Sequence, residues 1–207
     1  MSFNEIWHAA NQREWNTLLK KYWSLVPVDN IQVEYRMSRL TRQDLETMDE
    51  GQWYHFLHDE FFVWKYTAKN RLASTRLHLR KYQDEQDLGR LDEIRQNIVQ
   101  LDPREIRIAL KTAYGIRGLG IAGASGLLSL VYPSHFATVD QFVVKALIEV
   151  TEQKARVRRM NPENLTLEHG VVLTELLRAK ATEMNETFGS TFWTPRAVEM
   201  ALWAYRP

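Results

Sequence analysis

Residues Ile116-Arg117-Gly118-Leu119-Gly120-Ile121-Ala122-Gly123-Ala124 place two glycines one residue apart between two amphipathic helical patterns. Thr138-Val139-Asp140 then puts a carboxylate at the start of a further helix. Glycine lacks a Cβ, so it admits positive φ and the close approach of another backbone or a phosphate. A tight Gly-x-Gly turn opening a helix also leaves several N–H groups unpaired and directed outward, which suits an anion. Nearly every other segment reads as helix. Ser2 with Glu5 makes a capping-box pattern that opens a helix to about Trp23. Thr41 with Asp44 opens a short helix that Gly51 breaks. The aromatic run Trp53, Tyr54, Phe56, Phe61, Phe62, Trp64, Tyr66 has helical spacing with a kink near Asp59, and residues 68–82 continue as a basic helix. Asp102-Pro103 reads as an N-cap and first helical position of a helix that Gly115 stops. Thr166 to Phe188 forms a long helix ended by Gly189, and Thr194-Pro195 starts the last one. Only Ile31-Gln32-Val33-Glu34-Tyr35 alternates like a strand, and one short strand cannot build a sheet. The expected fold class is all-α.

Residues 116–147 resemble the core of the helix-hairpin-helix DNA glycosylase superfamily, of endonuclease III-like fold. Members carry Leu-Pro-Gly-Val-Gly-x-Lys-x-Ala, then Val-Asp with an apolar helix behind it. Ile116 takes the leucine position, Gly118 and Gly120 the two glycines, Ala124 the small helix residue, and Val139-Asp140 the Val-Asp. The separation of Ala122 from Asp140 equals that between the family's variable catalytic position and its catalytic Asp. Tyr66-Thr67-Ala68-Lys69 resembles a Leu-Ser-Ala-Gln segment of endonuclease III-like proteins. The resemblance implies a two-lobed helical fold over residues 1–207. One lobe would span about 52–150, with the helix-hairpin-helix at 104–131. The other would join 1–50 to 160–207, with Asp140 at the mouth of the cleft between them.

The departures from the pattern are informative. Bifunctional members place a nucleophilic lysine where this chain has Ala122, and alanine forms no Schiff base, so β-lyase chemistry through that position is excluded. Adenine-specific and alkyl-base members also lack that lysine and act as monofunctional glycosylases. With no cysteine in the chain, the iron–sulfur cluster of some members has no ligands, and no cofactor is expected. Gln141-Phe142 replaces the more usual Thr-His after the Asp.

The site implied by this pattern has Asp140 as its catalytic carboxylate, stabilising positive charge on the sugar or activating water. A favoured N-cap role for the same Asp stands beside that reading. Gly118, Gly120, Ile121 and Ala122 would grip a strand. Lys65, Lys69, Asn70 and Arg71 would meet phosphates or fill the space of a flipped base. Trp64, Tyr66 and Gln141 would line a base pocket, and carbonyls of Tyr114, Ile116 and Leu119 would hold a monovalent cation. A core-facing Trp64 and Tyr66 with a solvated basic face is the plainer alternative.

Net charge is only +1, but its distribution is uneven. Lys65, Lys69, Arg71, Arg76, Arg80 and Lys81 occur without an acid between Trp64 and Tyr82, and Lys154, Arg156, Arg158 and Arg159 form a second cluster. No apolar run approaches membrane length, and an N-terminus without basic or apolar character, together with absent cysteine, points to the cytoplasm. His55 and His58 are three apart but have no evident third metal ligand. The leading function is a monofunctional DNA N-glycosylase-like base-excision protein, a monomer acting on double-stranded DNA. The alternatives are a non-enzymatic DNA- or RNA-binding module that retains the fold, and a protein-interaction module whose hairpin serves packing alone.

Overall fold

Every residue of helix Ile121–Val131 except Ala122 is buried, and the rest of the chain is arranged around that helix. The computed structural model describes residues 2–205. Among them there is no strand, and no helix is long and apolar enough to cross a membrane. In chain order the first helices are α1 (Phe3–Trp7), α2 (Arg13–Leu25), α3 (Ile31–Met37), α4 (Arg42–Glu46), α5 (Glu50–His55) and α6 (Phe62–Lys65). The middle holds α7 (Lys69–Asp84), α8 (Leu88–Gln100), α9 (Ile106–Tyr114) and α10 (Ile121–Val131). The last are α11 (Gln141–Ile148), α12 (Thr151–Val157), α13 (Leu167–Phe188) and α14 (Pro195–Tyr205).

Two hydrophobic cores form, and α10 contributes to both because apolar residues surround it. The first gathers α1, α2 and α11–α14, with Ile121 from α10. The second gathers residues from Met37 to Phe136, with Ala124, Leu127, Leu128, Leu130 and Val131 from α10. The chain ends meet in the first core, where the rings of Phe3 and Tyr205 lie 4.5 Å apart and the Phe3 N–H donates to the Tyr205 hydroxyl at 3.1 Å. Met37 and Leu45, from a segment expected with the termini, pack in the second core. Val143, Val144 and Leu147, expected with the middle of the chain, pack in the first.

Several local expectations need correction. The helix opened by the Ser2–Glu5 capping box ends at Trp7 rather than near Trp23. The Asn11 side chain accepts the Arg13 N–H at 3.0 Å, offering the backbone a local alternative to continuous helix. Residues 31–35 are helical, not extended: Val33, Glu34 and Met37 turn inward at helical spacing, and the alternation of apolar types is incidental. Gly51 lies in the first turn of α5 rather than breaking a helix; the break precedes it, and Asp49 caps α5 with Gln52 in reciprocal hydrogen bonds. Asp102-Pro103 forms a turn instead of a helix start, because Asp102 accepts the Arg104 N–H and Arg178 donates to the Pro103 carbonyl at 2.6 Å. The kink near Asp59 is a π-helical segment, Phe56–Phe61, between α5 and α6. His55 and His58 both contact Asp59 there, at 3.2 and 2.6 Å, and the described residues contain no metal-ligand cluster.

Candidate functional site

A cleft of about 1020 Å³ opens where α6, α7, α10, α11 and α14 converge, with α2, α3 and residues 162–165 at its edges. It gathers Asp140, Gln141, Gly118, Gly120, Ile121, Ala122, Leu119, Trp64, Lys65, Tyr66 and Arg71 from separate parts of the sequence. Lys69 and Asn70 sit exposed on the first turn of α7, outside the cleft lining. The Ile121 side chain packs toward Gly170 of α13, leaving its backbone N–H for any ligand. Of the three carbonyls expected at a cation, that of Ile116 accepts the Leu119 N–H at 3.0 Å.

The two glycines of the turn have different reasons to be glycine. Gly118 has φ of +96°, and a Cβ there would lie 2.9 Å from the Thr75 carbonyl on α7. Its lack of a side chain is therefore a folding requirement. Gly120 is the N-cap of α10 in an extended conformation, with open space where a Cβ would be and no side-chain cap. The N–H groups of Gly120, Ile121 and Ala122 have no hydrogen-bond partner among the described residues. The N-cap of α7, Ala68, also makes no side-chain cap, although the Asn70 side chain accepts the Arg71 N–H at 2.8 Å, and Thr67, Ala68 and Arg71 line the cleft. Two helix starts with unpaired donors thus open into or beside one concavity, where their partial positive charge favours an anion.

Small residues on α10 let the opposite wall come close. A Cβ at Gly123 would lie 2.5 Å from the Tyr66 hydroxyl, and one at Gly126 would lie 3.3 Å from Lys65 Cδ and 3.5 Å from the Trp64 ring. Burial pushes the Tyr66 phenol up to about 12, against the pull of Arg71 and Thr75. The stem of Lys65 crosses Gly126 and carries its Nζ to 3.7 Å from Asp140 Oδ2. Asp140 itself is held by its neighbours. Its Oδ1 accepts the Phe142 N–H at 2.9 Å, so it does cap α11. The Ser125 hydroxyl on α10 accepts the Val139 N–H at 3.0 Å, and Ser129 meets Thr138 at 3.2 Å. One carboxylate oxygen closes the helix start; the other faces Lys65 in the cleft, with 17% of the side chain exposed.

Sequence reasoning missed the polar group behind this pair. Glu34 on α3 accepts from the Tyr22 hydroxyl at 2.7 Å, from the Trp64 indole N–H at 2.6 Å and from Arg196 at 3.1 Å. Arg196 also donates to the Tyr22 hydroxyl at 3.2 Å and to Glu199, and its guanidinium lies 5.4 Å from the Trp64 ring centroid. Burial pushes Glu199 up to about 7, with Arg196 opposing and Asp140 adding to the rise. Burial also works against the charge on Arg196, and Glu199, Tyr22 and Glu34 together outweigh it. Glu34, Arg196 and Glu199 all line the cleft. The strand-like alternation around Glu34 concealed it, while the three-residue spacing of Arg196 and Glu199 on α14 was a usable signal.

The basic helix offers fewer outward charges than its composition implies. Lys65 turns to Asp140, and Arg76 donates to the His58 carbonyl at 2.9 Å and faces Asp59 at 3.8 Å. Lys69, Arg71, Arg80 and Lys81 remain exposed. Lys154 and Arg156 on α12 and Arg158 and Arg159 in the turn after it are exposed as well, on a segment that buried Val157 and Met160 anchor.

No family model, curated protein or solved structure matches this chain. The chemistry available to the cleft therefore rests on its own residues: a carboxylate beside an amine, aromatic walls, and two helix starts with free donors.

Proposed function

We propose that the chain is a DNA N-glycosylase-like base-excision protein of the helix-hairpin-helix type, acting on double-stranded DNA. The observation that carries this reading is the cleft itself, which unites Asp140, the uncapped start of α10 and the Trp64–Tyr66 wall. In this reading α9, the Gly118–Gly120 turn and α10 form the hairpin, and the N–H groups of Gly120 to Ala122 hold a phosphate. A nucleotide turned out of the stack enters between Trp64 and Tyr66 on one side and Gln141 on the other. Asp140 stabilises the positive charge that builds on the sugar as the N-glycosidic bond lengthens, and water completes the hydrolysis. Ala122 supplies no nucleophile. The direct test is release of free base, with formation of an abasic site, from a panel of duplexes each carrying one damaged base. Duplex binding without base release from any of them would favour the non-enzymatic binding module.

Gly120→Asp separates grip from fold. Open space at Gly120 accommodates the side chain, and Asp at an N-cap accepts the free N–H groups of the first turn. The variant should melt at the same temperature or slightly higher. Its duplex affinity should fall by about ten- to a hundredfold, because a carboxylate occupies the phosphate's donors. Gly118→Ala should do the opposite: at φ of +96° against the Thr75 carbonyl it should cost about 1–3 kcal/mol of stability. Unchanged affinity in folded Gly120→Asp would remove the turn from the interface.

The exposed start of α7 gives a second test. Reversing Lys69 and Arg71 to Glu should lower affinity and reduce the slope of log affinity against log salt by about two phosphate contacts' worth. A change in melting temperature with the salt slope intact would mark this face as solvated surface.

A further inference from the structure

Unlike Lys65 and Arg76, the cations of α12 and the turn after it are compensated by no described residue. The side chains of Lys154, Arg156, Arg158 and Arg159 are exposed and make no ion pair or hydrogen bond among the described residues. Glu152, the acid on α12, turns away to His8 at 3.1 Å. Buried Val157 and Met160 fix the inward side of the segment, so the four cations share its outward side. Arg158 keeps helical backbone angles and its N–H donates to the Lys154 carbonyl at 3.0 Å, so like charges at i and i+4 stand on one face. Charges so placed repel, and an anion set against them relieves the repulsion. The segment also leads directly to the cleft. Asn161 accepts the Glu163 N–H at 3.1 Å through its side chain and the Asn164 N–H at 3.1 Å through its carbonyl, and this turn sets residues 162–165 at the cleft edge. From Arg159 to Pro162 the chain covers at most about 10 Å. That edge belongs to the first core, where Val157 and Met160 pack, whereas Tyr66 and Leu72 tie the start of α7, with exposed Lys69 and Arg71, to the second. Uncompensated cations from both cores therefore flank the cleft.

We propose that Lys154, Arg156, Arg158 and Arg159 hold the phosphates of a duplex DNA flank that extends past the cleft. One duplex is then gripped at the start of α7, at the Gly120 turn and at α12. The proposal rests on the duplex-binding part of the reading above and not on base excision. Duplex DNA carries one negative charge per about 1.7 Å of its axis, so several phosphates come within reach of one short basic segment. Each arginine can take a phosphate with two parallel N–H donors. Contacts of this kind fix register and add affinity without reading bases. Glu163, the one acid between Arg159 and the Thr166 cap, is exposed beside the track and opposes the contact. An anionic lipid surface would attract the same four charges. The duplex is favoured because the patch continues into the cleft edge, because α7 supplies cations from the other core, and because no large apolar side chain is exposed on this segment to enter lipid.

The test uses the full chain and a fluorescein-labelled duplex of about two helical turns, read by fluorescence anisotropy over a series of salt concentrations. Replacing all four cations by Gln should leave the melting temperature unchanged or slightly higher, since the like-charge repulsion is gone. Affinity should fall about ten- to a hundredfold, and the slope of log affinity against log salt should shrink by about two to four. Glu163→Gln should change affinity in the other direction and bind more tightly than the parent. The chain has no cysteine, so Arg159→Cys takes a single photo-crosslinker. It should join to the duplex, and the same group on Arg90→Cys, exposed on α8, should not. That single substitution decides the question even if the quadruple variant does not fold. Affinity and slope equal to the parent's in the folded quadruple variant overturn the proposal and leave the cleft reading standing. Lost affinity with an intact slope, or a crosslink from position 159 no stronger than from position 90, does the same. Vesicles of equal phosphatidylcholine and phosphatidylserine that bind the parent and not the quadruple variant, with duplex affinity equal in both, overturn it in favour of a lipid surface. A parent that binds no duplex overturns both the proposal and the reading beneath it.

Discussion

Asp140→Asn is expected to fold, to bind duplex at least as tightly as the parent, and to release base on the order of a thousandfold more slowly. Asparagine is as good an N-cap as aspartate, so its side-chain oxygen should keep accepting the Phe142 N–H that now lies 2.9 Å from Asp140 Oδ1. Ser125 and Ser129 hold Thr138 and Val139 independently of the side chain at 140. What the substitution removes is the negative charge facing the cleft. That charge matters most when the sugar becomes cationic, so the loss should appear in the rate of base release rather than in affinity. Affinity should rise if it changes, because an anion near phosphate is gone. The Lys65 ammonium loses its counter-charge, so a modest fall in melting temperature should accompany the change. Circular dichroism, fluorescence anisotropy and single-turnover base release measure the three effects separately. A parent that releases base, matched in rate by Asp140→Asn, would reduce Asp140 to a helix cap. A parent that binds duplex and releases nothing, with binding unaltered by the substitution, would be a binding module.

Much of this site was legible because its parts follow local rules. Gly-x-Gly before an apolar helix and Asp before another are turn and cap signals, and α10 and α11 begin where they say. Punctuation at Thr41, Gly189 and Thr194-Pro195 was equally readable, since each acts within one turn of chain. Distant packing erased other signals. Glu34 sits in a run that alternates like a strand, and only the requirement to reach Tyr22, Trp64 and Arg196 makes it helical and inward-facing. Helix α11 follows the Gly118–Gly120 turn in sequence but packs with the terminal helices, because Val143, Val144 and Leu147 meet α12 to α14 there. Charge counting misled for a similar reason. Lys65 and Arg76 read as solvent cations in a basic run, yet Lys65 turns to the half-buried Asp140 and Arg76 to the His58 carbonyl beside the exposed Asp59, and the Lys65–Asp140 approach spans separations that no sequence window contains.

Arg196→Met should have the largest effect on stability. The side chain fits the space, but Glu34 and Glu199 then lose the guanidinium that bridges them in a mostly buried setting. Removing one member of such a group leaves uncompensated charge and costs about 3–5 kcal/mol. For a chain of this size that corresponds to a fall in Tm of about 10 °C. The deficit should depend on pH, with a sign fixed by Glu199. Burial already pushes that carboxyl up to about 7, above its ordinary range, and Arg196 is what opposes the rise. Without Arg196 the folded form holds the Glu199 proton still more tightly. Between the unfolded carboxyl value near 4.5 and the raised folded value, the folded chain carries the proton and the unfolded chain does not. Stability therefore falls as pH rises through that window, and falls further in the variant. The gap in Tm between parent and Arg196→Met should be larger at pH 8 than at pH 5, and Glu199→Gln in the same background should flatten it. A gap independent of pH would show that Glu199 is not the group left stranded. The consequence for the cleft follows from Trp64, whose indole N–H is tied to Glu34 and whose ring faces Arg196. Loosening that tie should free the Trp64 wall, so folded Arg196→Met should also lose duplex affinity while Lys65 and Asp140 keep their approach. Full affinity in that variant would place Trp64 in the core alone and leave the ligand to α7, α10 and Asp140.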